Sequence, residues 1–204
     1  KTFLERAEVV LKVAEMIKAN LENLAMLEAA DVGKPIRQSR MTLAGAVGEG
    51  KYFCELAKTM EADQDAKITG LGAAPESWNV GYRRDPVGIV GLISAWNYPL
   101  NVAFRKVAPA LVAGNCIILK PSEYASLSVM FLARACHDAG IPAGVFNLVT
   151  GGPAAGAALS EHPDVGMVSF TGSSATGGKV AQACGKHLAK AHLELGGKSA
   201  LVVL

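Results

Sequence analysis

The segment 87–94, VGIVGLIS, is the first of five short apolar runs that decide the fold of this 204-residue chain. The later runs lie at 116–120, 145–150, 165–171 and 201–204, with helical patterns between them at about 100–113, 126–139, 154–161 and 174–186. Strands that alternate with helices in this way predict an α/β fold with a parallel sheet and crossover helices. Ligands bind such sheets beyond the carboxyl ends of the strands, so the residues after each run are the first candidates for function.

The chain before residue 65 is predicted to be helical. Thr2 and Glu5 have the spacing of a capping box. Apolar residues then recur at helical spacing at Leu4, Ala7, Leu11, Ala14, Ile17, Leu21 and Leu24. A second helical pattern covers about 38–62. The segment 68–86 is punctuated by glycine and proline and includes an extended run at 78–84, which predicts a hairpin or an arm.

The composition is typical of a globular protein that binds neither nucleic acid nor membranes. Half of the residues (50%) are hydrophobic, and 20 basic and 18 acidic residues leave a net charge of +2. The basic residues are scattered, so no patch suits a nucleic-acid backbone. The uncharged segment 86–104 is interrupted by Asn97, Tyr98, Pro99 and Asn101. We therefore interpret it as buried strand and turn rather than as a membrane span.

The cysteines and histidines predict neither disulfides nor a metal site. The cysteines have no C-x-x-C spacing and lie in apolar or helical stretches: Cys54, Cys116, Cys136 and Cys184. This pattern is typical of reduced core thiols and favours a cytoplasmic location. The histidines lack metal-ligand spacing and are interpreted as structural: His137, His162, His187 and His192.

Polar residues follow the first two predicted strands, and each has two interpretations. Asn97, in the motif AWNYP, can donate a hydrogen bond to an oxyanion, or it can serve as a turn or capping residue. Lys120 and Glu123, in the motif KPSE, can hold the hydroxyls of a ribose, or they can form a solvated surface ion pair.

Glycine-rich turns follow the next two predicted strands. The motif TGGP at 150–153 allows a ligand to approach closely, or it is an ordinary turn. The motif TGSSATG at 171–177 opens a helix with hydroxyls and backbone N–H groups that can receive a phosphate. The chain contains neither G-x-G-x-x-G nor G-x-x-x-x-G-K-[ST], so a dinucleotide would have to be held in a different way.

The motif LELGGKS at 193–199 places Glu194 in a mainly apolar strand before paired glycines. Burial among leucines would raise the pKa of such a carboxyl, which suits a general base. The alternative is a strand-end glutamate beside a tight turn.

Together these motifs resemble the NAD(P)-dependent aldehyde dehydrogenase superfamily. The matching segments are SAWNYPL, ILKPSE, VTGGPAAGAAL, FTGSSATG and LELGGKSALVV, in the order and approximate spacing of that family over 80–204, and DVGKPI precedes them. The resemblance implies a Rossmann-like parallel sheet preceded by helices, with 68–86 as an oligomerisation arm. It implies a cofactor-binding domain over 1–196 and the beginning of a catalytic domain at 197–204.

The resemblance also implies roles for individual residues. Asn97 corresponds to the oxyanion donor, Glu194 to the general base, and Lys106 to a lysine near the active site. Lys120 and Glu123 would hold the adenosine ribose. The cofactor cleft would be lined by Ile93, Ser94, Ala95, Trp96, Asn97, Lys120, Ser122, Glu123, Gly152, Gly156, Phe170, Thr171, Gly172, Ser173, Thr176, Glu194, Leu195 and Gly196.

The implied activity is oxidation of an aldehyde through a cysteine thioester. The family nucleophile lies several tens of residues beyond the position of Glu194, and no cysteine here matches it. The chain begins with Lys1 and ends in a strand-like run, so we expect a piece of a longer protein that is inactive by itself. A non-catalytic dinucleotide-binding or assembly module is the alternative, and an acylating relative is a third hypothesis.

The remaining expectations concern the cofactor and partners. Glu123 would repel a 2′-phosphate whereas Lys120 would attract one, so NAD is preferred and NADP is the alternative. The resemblance implies a homodimer or homotetramer and a small-molecule aldehyde as substrate. The identity of the aldehyde stays open.

Overall fold

The computed structural model describes residues 1–62, 65–67 and 80–203, and within these ranges it contains seven helices and seven strands. The helices are α1 (Phe3–Ala19), α2 (Leu21–Val32), α3 (Ile36–Ala62), α4 (Pro99–Val112), α5 (Leu127–Asp138), α6 (Pro153–Glu161) and α7 (Ser174–Lys186). The strands are β1 (Asp65–Lys67), β2 (Gly81–Arg83), β3 (Ile89–Ile93), β4 (Cys116–Lys120), β5 (Phe146–Leu148), β6 (Val165–Gly172) and β7 (Lys190–Leu195).

Five of these strands form one parallel sheet in the order β5-β4-β3-β6-β7, which confirms the predicted α/β fold. The chain begins this sheet at β3, adds β4 and β5 on one side, and then adds β6 and β7 on the other. The strand order therefore reverses between β3 and β6. In open parallel sheets, a reversal of this kind leaves a crevice at the carboxyl ends of the two strands.

Helices cover both faces of the sheet because neighbouring side chains of a strand point to opposite faces. Val90 and Leu92 of β3 belong to a large core that also contains residues of α1, α2, α3, α4 and α5. Ile93 belongs to a smaller core on the other face, which includes Leu159 of α6 and Val180 of α7. The two-sided burial explains why the central strands are almost continuous apolar runs.

The N-terminal helices differ in part from the prediction. The capping box is confirmed, since Thr2 Oγ1 accepts from the Glu5 N–H at 3.2 Å and Glu5 Oε2 accepts from the Thr2 N–H at 2.8 Å. The predicted apolar stripe is wrong at Leu4 and Leu11, which are exposed. Phe3, Val10 and Val13 occupy the buried face instead. The face is shifted because α1 packs against α3 and α4 through these larger side chains and its alanines.

The strand predicted at 201–204 is wrong for the described residues 201–203, which have no strand structure. Leu201 and Val203 are 88% and 87% exposed. The strand beside β6 is β7, which contains Glu194 and pairs with β6 from Met167 to Gly172. An apolar run becomes a strand only where it pairs with a neighbouring strand, and in the described residues no strand pairs with 201–203.

One cysteine also departs from the prediction. All four cysteines are free thiols, and Cys54, Cys136 and Cys184 are buried, but Cys116 is exposed at the amino end of β4. Strand ends lie at the border of the sheet, so an apolar neighbourhood in sequence does not guarantee burial there.

The predicted hairpin segment lies largely outside the described residues, which omit 68–79. The short strands on either side of that gap, β1 and β2, pair in antiparallel fashion, from Asp65 opposite Arg83 to Lys67 opposite Gly81. β2 falls inside the extended run predicted at 78–84. In the described part of the chain, no helix is both long and apolar enough to cross a membrane.

Gly91, at the centre of β3, is predicted to be required for stability. A Cβ at this position would lie 2.9 Å from Leu159 Cγ of α6, inside a packed core. Gly91→Ala should therefore lower the free energy of unfolding by about 1–3 kcal/mol, because neither the strand nor the helix can move without disturbing the sheet. Urea unfolding monitored by circular dichroism measures this change.

The matched control is Gly48→Ala in α3, where the new Cβ meets open space. This control should be as stable as the wild type or more stable, because alanine favours a helix over glycine. Equal midpoints for Gly91→Ala and wild type would show that the close approach of α6 to β3 is not a packing constraint.

Candidate functional site

A cleft of about 1150 Å³ opens at the carboxyl ends of β3 and β6, at the reversal of strand order. Of the 19 residues predicted for the site, 17 line this cleft: Ile93, Ser94, Ala95, Trp96, Asn97, Lys120, Ser122, Glu123, Gly156, Phe170, Thr171, Gly172, Ser173, Thr176, Glu194, Leu195 and Gly196. Gly152 and Lys106 are not among the lining residues. The sheet therefore brings together motifs that are far apart in sequence.

The register of the sheet explains this convergence. Ile93 of β3 lies opposite Lys120 on one side and Phe170 on the other, and Phe170 lies opposite Leu193. These four residues form one row across the sheet. The next residue along β6, Thr171, lies opposite Glu194. The residues that follow this row therefore lie at the carboxyl ends of the strands, where the cleft opens.

The turn that carries Asn97 is held from behind by a buried carboxylate. Asn97 is exposed in the cleft, directly before α4. Glu28 of α2 is 1% exposed, and its Oε1 accepts from the Leu100 N–H at 3.1 Å and from the Ser128 hydroxyl at 3.0 Å. A carboxylate at the first turn of α4 satisfies a backbone N–H and interacts favourably with the helix dipole.

A buried lysine supports the same turn. Lys34 Nζ lies 3.8 Å from Glu28 Oε2 and 4.1 Å from the centroid of the Tyr98 ring, and it donates to Thr42 Oγ1 at 2.9 Å. Burial lowers the pKa of Lys34, and the Glu28 carboxylate partly opposes this shift. The contacts anchor the residue next to Asn97, so the orientation of the Asn97 turn depends on helices outside the cleft.

Lys120 and Glu123 form the predicted pair, with Lys120 Nζ 3.2 Å from Glu123 Oε2. Lys120 is buried and Glu123 is exposed, so only one partner of the pair is solvated. The pKa of the Glu123 carboxyl is lowered, first by a hydrogen bond from its own backbone N–H and then by the bond from Lys120. Gly152 lies beside this pair, since a Cβ there would be 3.9 Å from Glu123 Oε1.

Two serines give the cleft hydrogen-bonding capacity. Ser94 is 3% exposed, and its hydroxyl has no hydrogen-bond partner among the described residues. Ser173 caps α7, because its Oγ accepts from the Thr176 N–H at 3.2 Å. A buried hydroxyl without a partner costs free energy unless a ligand or water satisfies it. The amino end of α7 adds backbone N–H groups that suit a phosphate.

Lys106 lies behind the cleft on α4, where it is 9% exposed. Its ammonium donates to Ser169 Oγ at 2.6 Å. Burial lowers the pKa of Lys106 to about 8, while the charge of Glu194 raises it and that of Arg105 lowers it further. Lys106 is therefore electrostatically linked to Glu194 although it does not line the cleft. His192 Nε2 lies 3.8 Å from Glu194 Oε1.

Several lining residues were missed by the sequence analysis. They belong to the helices that cover the cleft, α6 and α7, and comprise Pro153, Ala154, Ala157, Ser160, Glu161, Lys179, Val180, Gln182, Ala183 and Lys186. Lys179, Gln182, Ala183 and Lys186 follow the spacing of one helix face, counted from the predicted Thr176. This spacing is the signal that could have found them. In the described part of the chain, no three His, Cys, Asp or Glu residues could hold a metal ion.

Comparisons with known proteins agree with this architecture. The sequence pattern of the aldehyde dehydrogenase family matches residues 1–204. The chain is 44% identical to aminoaldehyde dehydrogenase 2, peroxisomal, of Pisum sativum over 199 residues, and 43% identical to betaine aldehyde dehydrogenase, chloroplastic, of Amaranthus hypochondriacus over 200 residues. Each alignment covers 97% of this chain and 39% of the relative, so the chain spans about two fifths of the length of these proteins.

Solved structures give the same result. An NAD-dependent aldehyde dehydrogenase from Sinorhizobium meliloti superposes with a TM-score of 0.89 at 38% identity, covering 97% of this chain and 38% of that protein. A betaine aldehyde dehydrogenase point mutant from Staphylococcus aureus, in complex with NAD+, superposes with a TM-score of 0.90 at 32% identity, covering 97% and 39%. Identities above 30% over nearly the whole chain extend the similarity from fold to family.

The burial of Lys106 predicts a pH-dependent stability. Its pKa of about 8 in the folded chain lies below the ordinary 10.5, so between these values the unfolded chain binds more protons than the folded chain. Stability contributed by this group therefore rises with pH across that window, by up to about 3 kcal/mol. Urea unfolding at several pH values should show a steeper rise for the wild type than for Lys106→Met.

Lys12→Met is the control, because Lys12 is exposed on α1. Its stability should change with pH in parallel with the wild type. Parallel curves for the wild type and Lys106→Met would contradict the buried-ammonium interpretation.

Proposed function

Because this chain belongs to the aldehyde dehydrogenase family, we propose that its protein oxidises an aldehyde to a carboxylic acid with NAD as the hydride acceptor. One cleft contains the Asn97 amide, the Glu194 carboxylate and the Lys120–Glu123 pair, and this convergence carries the proposal. The first two groups suit the chemistry of a carbonyl, and the pair suits a ribose. The relatives that support it are named as dehydrogenases of aldehydes.

We propose further that the nucleophile is a cysteine thiolate supplied from outside these 204 residues. Burial raises the pKa of Cys54 to about 11 and that of Cys136 to about 12, and it also raises the pKa of Cys184. Such thiols are poor nucleophiles because the thiolate is the reactive form. Cys116 lies at the amino end of β4, whereas the cleft lies at the carboxyl ends. On this proposal 1–196 is the cofactor-binding domain, and 197–204 begins a catalytic domain.

Asn97 and Glu194 would serve different steps. Attack of the thiolate on the carbonyl carbon forms the C–S bond and places negative charge on the oxygen, where the Asn97 amide would donate a hydrogen bond. Loss of a hydride from that carbon leaves a thioester. Glu194 would then take a proton from water as the water attacks the thioester, which releases the acid and regenerates the thiolate. The cofactor, when bound, supplies the acceptor for the hydride.

The cleft residues fit such a cofactor. The Lys120 ammonium and the Glu123 carboxylate offer a donor and an acceptor 3.2 Å apart, which matches the two kinds of contact that ribose hydroxyls make. The buried Ser94 hydroxyl has no partner among the described residues and is available to a ligand. The capped amino end of α7 would receive the pyrophosphate. Glu123 disfavours a 2′-phosphate, so NAD is proposed in preference to NADP.

The proposed assembly is a homodimer or homotetramer, with the segment 68–86 as the oligomerisation arm. All three residues of β2, which lies inside this segment, are exposed. A partner subunit would cover them. The proposed substrate is a small aldehyde, and the proposed location is the cytoplasm, supported by the four free thiols.

Glu123 is predicted to set the cofactor preference. Trp96 lines the cleft, so energy transfer from tryptophan to a bound reduced cofactor reports on binding. Glu123→Gln should raise the affinity for NADPH relative to NADH by roughly three- to tenfold, because a negative charge no longer faces the 2′-phosphate. Titration of the chain with each cofactor measures the ratio.

Glu55→Gln is the matched control. Glu55 forms an exposed pair with Lys58 at the same spacing, with Lys58 Nζ 2.6 Å from Glu55 Oε2, but it lies on α3 outside the cleft. The cofactor ratio should stay at its wild-type value in this variant. An unchanged ratio in Glu123→Gln would rule out contact between Glu123 and the ribose.

The two catalytic roles are predicted to separate kinetically in the intact enzyme. Asn97→Ala should slow the first turnover by roughly 10² to 10³, as loss of an oxyanion donor does. Glu194→Gln should leave the rate of NADH formation in the first turnover near that of the wild type. It should strongly reduce the steady-state rate, because the amide cannot accept a proton from water. Stopped-flow absorbance measures both phases. Wild-type turnover in Glu194→Gln, or a wild-type first turnover in Asn97→Ala, would contradict the assigned roles.

A further inference from the structure

A series of polar side chains connects the buried Lys106 to Glu194 through two residues that have no assigned role. Ser169 Oγ lies 2.6 Å from Lys106 Nζ and 3.1 Å from His192 Nδ1. His192 Nε2 lies 3.8 Å from Glu194 Oε1. Ser169 and His192 are direct neighbours in the pairing of β6 with β7. Glu194 follows His192 by two positions and therefore shares its face of the strand.

The ammonium group of Lys106 determines which atom donates and which accepts in each of these hydrogen bonds. An ammonium group has three donors and no acceptor, so Lys106 must donate to Ser169 Oγ. In the described residues, Ser169 Oγ has one other contact, with His192 Nδ1. The Ser169 hydroxyl therefore donates to His192 Nδ1. With Nδ1 as an acceptor, the ring proton of a neutral His192 lies on Nε2 and faces the Glu194 carboxylate.

We propose that His192 is a positioning residue for Glu194, with its ring orientation and tautomer fixed by Ser169 and Lys106. The exposed Glu194 carboxylate would otherwise sample several rotamers. The directed Nε2–H lies 3.8 Å from Glu194 Oε1, so a small rotation of the exposed Glu194 side chain brings the carboxylate within hydrogen-bond distance of this donor. That bond would keep the carboxylate in the cleft, where the proposed function requires it to accept a proton from water. The catalytic consequence rests on that proposed function, but the orientation of His192 does not.

Other charged groups around this series do not replace His192. Arg105, beside Lys106 on α4, is held by Glu49 of α3, with Arg105 Nε 2.9 Å from Glu49 Oε2. The hydrogen bond to Glu49 raises the pKa of Arg105 and burial lowers that of Lys106, and in both cases the Glu194 charge makes a smaller upward contribution. These charge contributions act through space, whereas the hydrogen bonds of Ser169 at 2.6 Å and 3.1 Å fix the ring of His192, and its Nε2 lies 3.8 Å from Glu194 Oε1. The ring of His192 is thus the group placed to orient the carboxylate.

The first experiment reads the imidazole directly by ¹⁵N nuclear magnetic resonance of the chain at about pH 7.5, where an imidazole is ordinarily neutral. His192 should show an unprotonated Nδ1 whose shift reflects an accepted hydrogen bond. Ser169→Ala should move that Nδ1 resonance, and Lys106→Met should move it in the same direction. His137, His162 and His187 serve as internal references in the same spectrum.

Ser39→Ala is the matched control. Ser39 is as well buried as Ser169, but its hydroxyl has no hydrogen-bond partner among the described residues. It should leave the His192 resonances in place. A protonated Nδ1 in the wild type, or an Nδ1 resonance that Ser169→Ala does not move, would overturn the proposal whether or not the protein oxidises aldehydes.

The second experiment tests the consequence for Glu194 in the intact enzyme. His192→Leu should lower steady-state turnover by about two- to fivefold, the range of an exposed charge-assisted contact, and leave the first turnover of NADH unchanged. His192→Gln should restore most of the loss, because its amide can donate to the carboxylate. If His192→Leu slowed the first turnover and the steady-state rate equally, or if His192→Gln did not restore the steady-state rate, the role of His192 would be merely structural. A wild-type enzyme without aldehyde oxidation would refute the proposed function instead.

Discussion

The pairing of β3 with parallel strands on both sides is the constraint on which the rest of the structure depends. Because β4 and β6 both align with β3, the ends of three strands meet at one edge and leave a crevice between them. Ile93, Lys120 and Phe170 occupy the same row, so the motifs that follow them have to converge. Neither Asn97 nor Glu194 would reach the cleft in a sheet with another strand order.

The helices behind the sheet fix the position of the cleft residues that follow the strand ends. Glu28 ties α2 to the first turn of α4 and to α5, so one buried carboxylate joins three helices below the Asn97 turn. Farther along α4, Lys106 joins this helix to β6 by donating to Ser169. Both groups are charged and buried, which is costly unless hydrogen bonds compensate, and both have such bonds. The rigidity of the site therefore originates outside the cleft.

Most of the sheet was predictable from sequence, because buried parallel strands are continuous apolar runs. The position after each strand pointed to Asn97, to Lys120 with Glu123 and to the glycine-rich turns. Most other cleft residues were implied by the family resemblance rather than by strand-end position. The pattern failed at 201–203, where apolar character could not show that no described strand pairs with this run. It also missed Lys179 and Lys186, since helix faces over a cleft carry no strand-end signal. The contact of Ser169 with His192 depends on strand register, which no local spacing encodes.

The position of β7 at the border of the described sheet has a practical consequence. Its outer side presents backbone N–H and C=O groups, and Leu195 and the apolar residues 201–203, which follow β7 in the chain, are exposed. Such an edge is a template for strand addition, and it invites self-association unless something covers it. These 204 residues are therefore expected to self-associate in concentrated solution through β7, the strand that contains Glu194. Keeping them monomeric requires either a second strand that covers this edge or a low protein concentration.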